Sequence, residues 1–469
     1  MQYKYFVLIN TSIASFMALL DANIVLISLP TIIRNLPDTP TTDAIWIIMG
    51  YTLIIATILL AIGRLADIYG RIKLYTFGFA VFTIGSGLCS ISFNGTSLVI
   101  FRLVQGVGGA LIFANGTAII TDAFPPTERG KALGINQVGG IAGSVMGLVL
   151  GGILTATLGW QSIFWINLPV GSFATIWAYV NLEELSLVTN REKPDLTGMA
   201  LFGVGLTLIL LGLVFGSVSG WASSDLGMIA VGMILLCMFV FAEGRIRSPM
   251  MDLQLFRIRE FSAGILSNLL ASISRGAVSF VIVFYFQGVL LLDALTAGLM
   301  LIPFSLAFVV VGPISGYLSD RYGSRRFTTG GMLLSAISFV WFSLLPVNAP
   351  YNLFVLPMIA TGVGGGLFFS PNVAAIMNSV PVARRGIASG MSSTLLNSGS
   401  LLSLGIAFAI MATSMPLATL QAVFAGLPVT SGSINPTLFV VAMHKIFLFM
   451  ASLSMVAAIA SILRGSRSS

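Results

Sequence analysis

One histidine and two cysteines in 469 residues leave little equipment for metal or thiol chemistry. Cys89 and Cys237 both fall inside apolar runs, where a cysteine serves as a small core filler rather than half of a disulfide or a metal pair. His444 alone excludes metal sites and general-base chemistry built on several histidines. Charge is scarce too: Asp, Glu, Lys and Arg make up 8% of the chain, against about 25% in soluble domains. The net charge of +7 is scattered singly or in pairs between apolar segments, without the basic face or tail of a nucleic-acid-binding protein. No short leader with a small-residue cleavage site precedes the first apolar run, so that run is expected to remain as a spanning helix.

What is present is oil and glycine. Hydrophobic residues reach 57%, with 50 glycines, and the mean hydropathy is +1.00. Those values belong to an integral membrane protein. Runs of roughly 18 to 25 apolar residues, the length that spans a bilayer, predict fourteen helices. They lie at about 5–29, 44–62, 74–93, 97–120, 134–158, 162–182, 198–218, 226–243, 262–288, 295–316, 327–346, 351–377, 387–412 and 437–463. With a cytoplasmic amino terminus, all 23 Lys and Arg fall on the inside except Arg34, Arg102, Arg275 and Lys445. Arg34 alone falls outside; the other three sit within helices. That asymmetry orients both termini to the cytoplasm. The longest connections, about 414–436 and 244–261, are too short for a soluble domain, so the chemistry must lie among the helices.

An internal repeat gives the architecture. GRLADIYGRIK at 63–73 returns as GYLSDRYGSRR at 316–326, GVGGALIF at 106–113 as GVGGGLFF at 362–369, and RGKALG at 129–134 as RGIASG at 385–390. The offset stays between 253 and 256 residues, so predicted helices 1–6 and 9–14 are copies, with helices 7 and 8 inserted between them. The expected division is an N-terminal six-helix bundle over 1–184, a linker with two inserted helices over 185–257, and a C-terminal six-helix bundle over 258–469. Paired six-helix halves suit a transporter that opens alternately to each face. RGKALG lacks the Ser or Thr and the glycine spacing of a nucleotide-binding loop.

These motifs resemble those of the major facilitator superfamily, and within it the fourteen-helix drug:proton antiporter group, over essentially the whole chain. GRLADIYGRIK resembles the family's loop motif between helices 2 and 3. Gly63 and Gly70 are expected to permit a tight connection, and Asp67 to meet a cation or a helix N-terminus. With the repeat, the resemblance implies a cytoplasmic gate of Gly63, Asp67, Gly70, Arg71, Gly316, Asp320, Arg321 and Gly323. FRLVQGVGGA at 101–110 resembles the helix 4 motif. Its glycines recur in the second half, whereas Arg102 and Gln105 map onto Met358 and Thr361, so the scaffold does not require Arg102. Gly134, Gly143, Gly147, Gly151 and Gly152 resemble the helix 5 antiporter signature, with Leu148 where that signature has proline. LDANIVLISLP at 20–30 resembles the group's helix 1 motif, and WQSIFWINLPVG at 160–171 the start of its helix 6.

Asp21 is the ionisable group that calls for an explanation. It lies about nine residues from the outer end of helix 1, roughly 13 Å deep. Arg102 enters helix 4 from the same side, so the two are expected to meet. A lone charge at that depth would cost several kcal/mol. Desolvation favours the neutral carboxyl and Arg102 favours the carboxylate, so a change in water access decides whether Asp21 holds a proton. Asp21 and Arg102 are the candidate coupling pair.

The candidate substrate cavity comprises Asn23, Gln105, Asn115, Gln137, Asn268, Arg275, Gln287, Asn372 and Asn397, with Phe280 and Tyr285 as aromatic walls. No carboxylate lies deep in predicted helices 9–14, which carry Arg275 and, nearer an outer helix end, His444 and Lys445 instead; that positive charge disfavours a dedicated dication site. The expected function is proton-coupled efflux of small amphipathic or drug-like molecules by alternating access. The alternative on the same fold is a uniporter or symporter of a neutral or anionic metabolite. The sparse catalytic side chains argue against an enzyme. Expected partners are a small-molecule substrate, protons and membrane lipid, with no cofactor, metal or nucleic acid, for a monomer in the cell membrane.

Overall fold

The computed structural model describes residues 2–37, 39–125, 128–185, 195–246, 249, 251–381, 384–424 and 436–464. Among them, regular structure is helical throughout. In order the helices are α1 (Tyr3–Asn35), α2 (Thr41–Tyr69), α3 (Arg71–Ser90), α4 (Gly95–Ala123), α5 (Arg129–Leu158), α6 (Ser162–Trp165), α7 (Asn167–Asn181), α8 (Leu196–Ser219) and α9 (Ser223–Glu243). They continue as α10 (Arg259–Arg275), α11 (Val278–Phe284), α12 (Ala294–Met300), α13 (Ile302–Tyr322), α14 (Ser324–Phe342), α15 (Tyr351–Asn378), α16 (Arg385–Ser414), α17 (Leu417–Phe424) and α18 (Pro436–Ile462).

Thirteen spans among the described residues are long and apolar enough to cross a membrane. The remaining predicted segment, the eleventh, near 327–346, is also helical, as α14, but it opens on Ser324, Arg325 and Arg326, which dilute its apolar character. Three predicted helices are divided, each for a local reason. Pro169 and Pro303 lack the N–H that would continue the ladder, and the chain breaks at Ile166 and Leu301 just before them. Between α10 and α11, the Ala277 N–H donates to Ser403 Oγ at 3.0 Å instead of to its own helix. A π-helical turn, Tyr285–Val289, then ends that span.

The chain packs as two compact units. The first is Met1–Val204 with Arg245–Met250 and Leu292–Leu299; the second is Gly205–Gly244 with Met251–Leu291 and Met300–Ser469. In the first unit α1 packs on α5, α2 and α3 on α4, and α3 on α7. The second unit repeats the scheme, with α10 on α16, α13 and α14 on α15, and α14 on α18.

Close approaches repeat with it. A Cβ on Gly106 would lie 2.9 Å from the Tyr51 carbonyl oxygen, and one on Gly362 would lie 2.3 Å from that of Phe304. Gly143 meets the Phe16 carbonyl on α1 as Gly399 meets the Leu269 carbonyl on α10. Gly139, Gly143, Gly147 and Gly151, each four residues from the next, line the side of α5 that lies against α1. Such a ridge of small residues lets helix backbones touch where no hydrophobic effect drives them together. Gly152 serves another contact, with Leu295 in α12.

One substitution tests this packing. At Gly108 a Cβ would stand 2.3 Å from the Phe82 backbone nitrogen, and Gly108→Ala is expected to cost about 1–3 kcal/mol through overpacking. Gly116, where a Cβ meets nothing within 4 Å, is expected to accept alanine with a gain of up to about 1 kcal/mol from helix propensity. Thermal unfolding of the two variants in detergent checks the contrast, and equal shifts would refute it.

The cytoplasmic motif takes a different form from a loop. Gly63 lies within α2, open on the side where a Cβ would point, and takes no part in the turn. Gly316 likewise lies within α13. The connection between α2 and α3 is the single residue Gly70, at φ +101°, and Gly323 repeats it at φ +85° between α13 and α14. Only glycine adopts that backbone without strain. Glu184 accepts from the Ile72 N–H at 2.9 Å, placing a carboxylate at the N-terminus of α3. Arg71 pairs with Asp122 at 2.8 Å. Exposed Arg321 stands 5.7 Å from the centre of the Tyr322 ring. The side chains of Asp67 and Asp320 lie outside the described residues.

Candidate functional site: a buried carboxylate cluster

Asp21 on α1 is fully buried, and three side chains from other elements hold it. Arg102 Nη1 on α4 donates to Oδ2 at 2.6 Å. Gln105 Nε2, one turn along α4, donates to Oδ1 at 2.8 Å. Asn167 Nδ2, the first residue of α7, donates to Oδ1 at 2.8 Å as well. The carboxylate thus accepts three hydrogen bonds, one of them from a guanidinium, which is the satisfaction a charge needs away from water.

Arg102, 1% exposed, is fixed in turn. Its Nη1 also donates to Gln105 Oε1 at 2.6 Å, and its Nε to the Ile47 carbonyl of α2 at 3.1 Å. The guanidinium carbon lies 4.3 Å from the centre of the Tyr51 ring, a cation–π contact. Gly85 on α3 lets α4 come close: a Cβ there would be 2.7 Å from the Gln105 Cα. Cys89 Sγ adds a weak donor to Gln105 Oε1 at 3.7 Å. Asn167 is anchored to Ser86 Oγ at 3.1 Å, and Ser86 donates to the Phe164 carbonyl at 3.0 Å. Tyr51 Oη, buried at the edge of the cluster, has no hydrogen-bond partner.

The meeting of Asp21 and Arg102 expected from the sequence is present. Gln105, expected among the cavity-lining side chains, belongs instead to this cluster. Asn167, Ser86 and Tyr51 were missed. Asn167 had a readable signal, since it stands in INLP, a polar side chain two residues before a proline at the head of an apolar run.

The remaining polar candidates are dispersed rather than gathered. Asn23 donates to the Leu19 carbonyl and to Ser144 Oγ, and Asn115 to the Leu111 carbonyl. Gln137 is exposed. In the second unit Asn268 donates to Ser392, Asn397 to the Ser393 carbonyl, and Asn372 accepts from Arg464. Gln287 is buried. Phe280 packs on Phe284 and Phe424, and Tyr285 Oη donates to the Val347 carbonyl. His444 Nε2 lies 2.8 Å from the Leu345 carbonyl, and Lys445 donates to Ser414 Oγ at 3.2 Å. Among the described residues no group of three or more His, Cys, Asp or Glu could hold a metal ion.

Comparison with known proteins agrees with this architecture. The chain is 34% identical to the riboflavin transporter RibZ of Clostridioides difficile (strain 630) over 397 residues, covering 85% of this chain and 86% of that one. It is 31% identical to the multidrug resistance protein Stp of Mycobacterium tuberculosis (strain CDC 1551 / Oshkosh) over 411 residues, covering 86% and 75%. The crystal structure of an auto-inhibited POT family peptide transporter superposes with a TM-score of 0.69 at 16% identity, over 100% of this chain and 97% of that one, a likeness of fold. The family model for the Major Facilitator Superfamily matches residues 11–403 and again 264–467. This multi-pass membrane transporter belongs to the major facilitator superfamily.

Proposed function

We propose that the protein is a proton-coupled exporter of small amphipathic molecules, with Asp21 as the proton carrier and Arg102 as its counter-charge. The observation that carries the reading is a fully buried carboxylate whose three donors come from α4 and α7, while α2 and α3 supply the groups that fix those donors. A small relative movement of these helices changes the number of donors and the access of water. Either change alters the preference of Asp21 for its proton. Protonation from the outer side removes the charge that holds Arg102, and loss of the proton to the cytoplasm restores it. Proton and substrate are then coupled through their different affinities for two conformations. The multidrug resistance protein Stp supports export of drug-like compounds as the direction. Gly70 and Gly323 are the corners about which the cytoplasmic ends of α2 and α13 would gate. The setting is the cell membrane, with both termini cytoplasmic and the chain working as a monomer.

A uniporter or symporter of a neutral or anionic metabolite is the second reading, favoured by the relative named for riboflavin. Proteoliposomes under an imposed pH gradient separate the two. Ethidium and riboflavin serve as probes, with a pH-sensitive dye on the side opposite the proton source. Antiport predicts that each substrate pulse moves protons the other way; substrate flux with a silent dye would leave uniport.

A further inference from the structure

The two units treat the same place in the repeat differently. The Gly143–Phe16 contact recurs as Gly399–Leu269, so the α1 residue five positions beyond Phe16, Asp21, corresponds to Ser274 on α10. Ser274 is fully buried and accepts from Ser454 Oγ at 3.0 Å, a neutral bond where the first unit has its carboxylate. Met358 and Thr361 stand for Arg102 and Gln105. The cluster of the first unit, a cation and an anion together, has become in the second a neutral patch with one cation beside it: Arg275, the neighbour of Ser274.

Arg275 is built into its position. Its Nη1 donates to Ser335 Oγ on α14 at 3.1 Å and to the Thr361 carbonyl on α15 at 2.9 Å. A Cβ on Gly365 would lie 2.2 Å from Nη2, so the glycine opposite the guanidinium makes room for it. Gly109, its counterpart in the first unit, makes room for the Tyr51 hydroxyl. Both Nη1 contacts are to neutral oxygens, and among the described residues no carboxylate pairs with Arg275. Unlike Arg102, the side chain is only partly buried. A guanidinium has five N–H donors. With Nη1 engaged, the adjoining N–H groups of Nε and Nη2 form one edge of the fork, the edge that receives a planar oxyanion through two parallel bonds. A cation at bilayer depth with neutral partners alone remains short of compensation, and a bound anion supplies it.

We propose that Arg275 is an anion-binding subsite for the transported molecule, taking a carboxylate or a phosphate monoester on its Nε–Nη2 edge, with Ser335, Thr361 and Gly365 holding the guanidinium in place. This rests on the transport reading and narrows its substrate class to molecules that carry one oxyanion on an otherwise apolar body.

Equilibrium binding to the purified full-length protein in detergent tests it with matched probes: benzoate against benzamide for the carboxylate, and FMN against riboflavin for the phosphate. At least one anionic probe should bind about ten-fold or more tightly than its neutral partner, the contribution of hydrogen bonds to a charged group. That ratio should fall to about one in Arg275→Gln, survive in part in Arg275→Lys, which keeps a point charge without the fork, and persist in Lys445→Gln. The pair that discriminates tells carboxylate from phosphate. Two results overturn the proposal: no anionic probe preferred over its neutral partner, or a preference that survives in a folded Arg275→Gln protein. Because binding is read without a gradient, failure of proton coupling in proteoliposomes would leave this result standing, and the reverse holds too.

Discussion

Asp21→Asn is expected to abolish accumulation of substrate against its gradient while downhill flux persists. One proton falling through 100 mV supplies about 2.3 kcal/mol, enough for a concentration ratio of about fifty. In the variant that ratio should fall to one at any imposed pH gradient, since an amide carries no proton across. Asparagine keeps the size of aspartate, and its Oδ1 can still accept from Arg102. Its Nδ2, however, turns a donor toward both Gln105 Nε2 and Asn167 Nδ2, each of which now donates to Asp21 Oδ1 at 2.8 Å. Gln105 could turn its amide over only by giving up the bond that its Oε1 accepts from Arg102 at 2.6 Å. The variant should therefore also unfold at a lower temperature, through one to two lost hydrogen bonds of about 1 kcal/mol each and through the Arg102 guanidinium left buried without its counter-charge, since removal of one partner of a buried pair costs about 3–5 kcal/mol. Parallel measurement of accumulation, downhill flux and detergent stability distinguishes uncoupling from misfolding. Full accumulation in proteoliposomes would remove Asp21 from the proton path.

The Asp21–Arg102 ion pair was legible because a charge in an apolar run is rare and needs a partner, and Arg102 was the arginine at matching depth. The repeat was legible because GVGGALIF and GVGGGLFF preserve the glycines that backbone contact demands. Other features depend on which way a side chain faces, and hydropathy carries no such information. Gln105 reads as an ordinary polar residue in helix 4, yet it sits one turn from Arg102 on the same face and so joins the Asp21 cluster. Gln137 reads the same way and is exposed. Gly63 and Gly70 look equivalent in GRLADIYG, but one is in a helix and the other, at positive φ, makes the whole turn. Asn167 became visible as a partner of Asp21 only when α7 was placed against α1 and α3. The breaks at Ile166 and Leu301 were within reach of the sequence, since a proline follows each of them.

Arg102→Met is expected to be strongly destabilising, as Asp21→Asn is, because each strands one charge of the pair. The ion pair is almost wholly removed from water, its side chains 1% and 0% exposed. Taking away one partner of such a pair costs about 3–5 kcal/mol, because the other charge stays buried without compensation. Asp21 would keep only the amides of Gln105 and Asn167 as donors. With no counter-charge left for the proton to release, coupling should be lost together with stability, as in Asp21→Asn. The double variant Asp21→Asn, Arg102→Met removes both charges and should regain most of the deficit, since two neutral groups of similar size leave no uncompensated ion. Residues bonded to each other deviate from additivity by about 0.5–3 kcal/mol, and here the deviation should be restorative: the double variant unfolds at a higher temperature than Arg102→Met alone while remaining uncoupled. Thermal unfolding of the four proteins in one detergent, with gradient-driven accumulation measured on each, reads both effects. If the two losses simply add, Arg102 and Asp21 do not act as one electrostatic unit, and the proton cannot release the arginine as proposed.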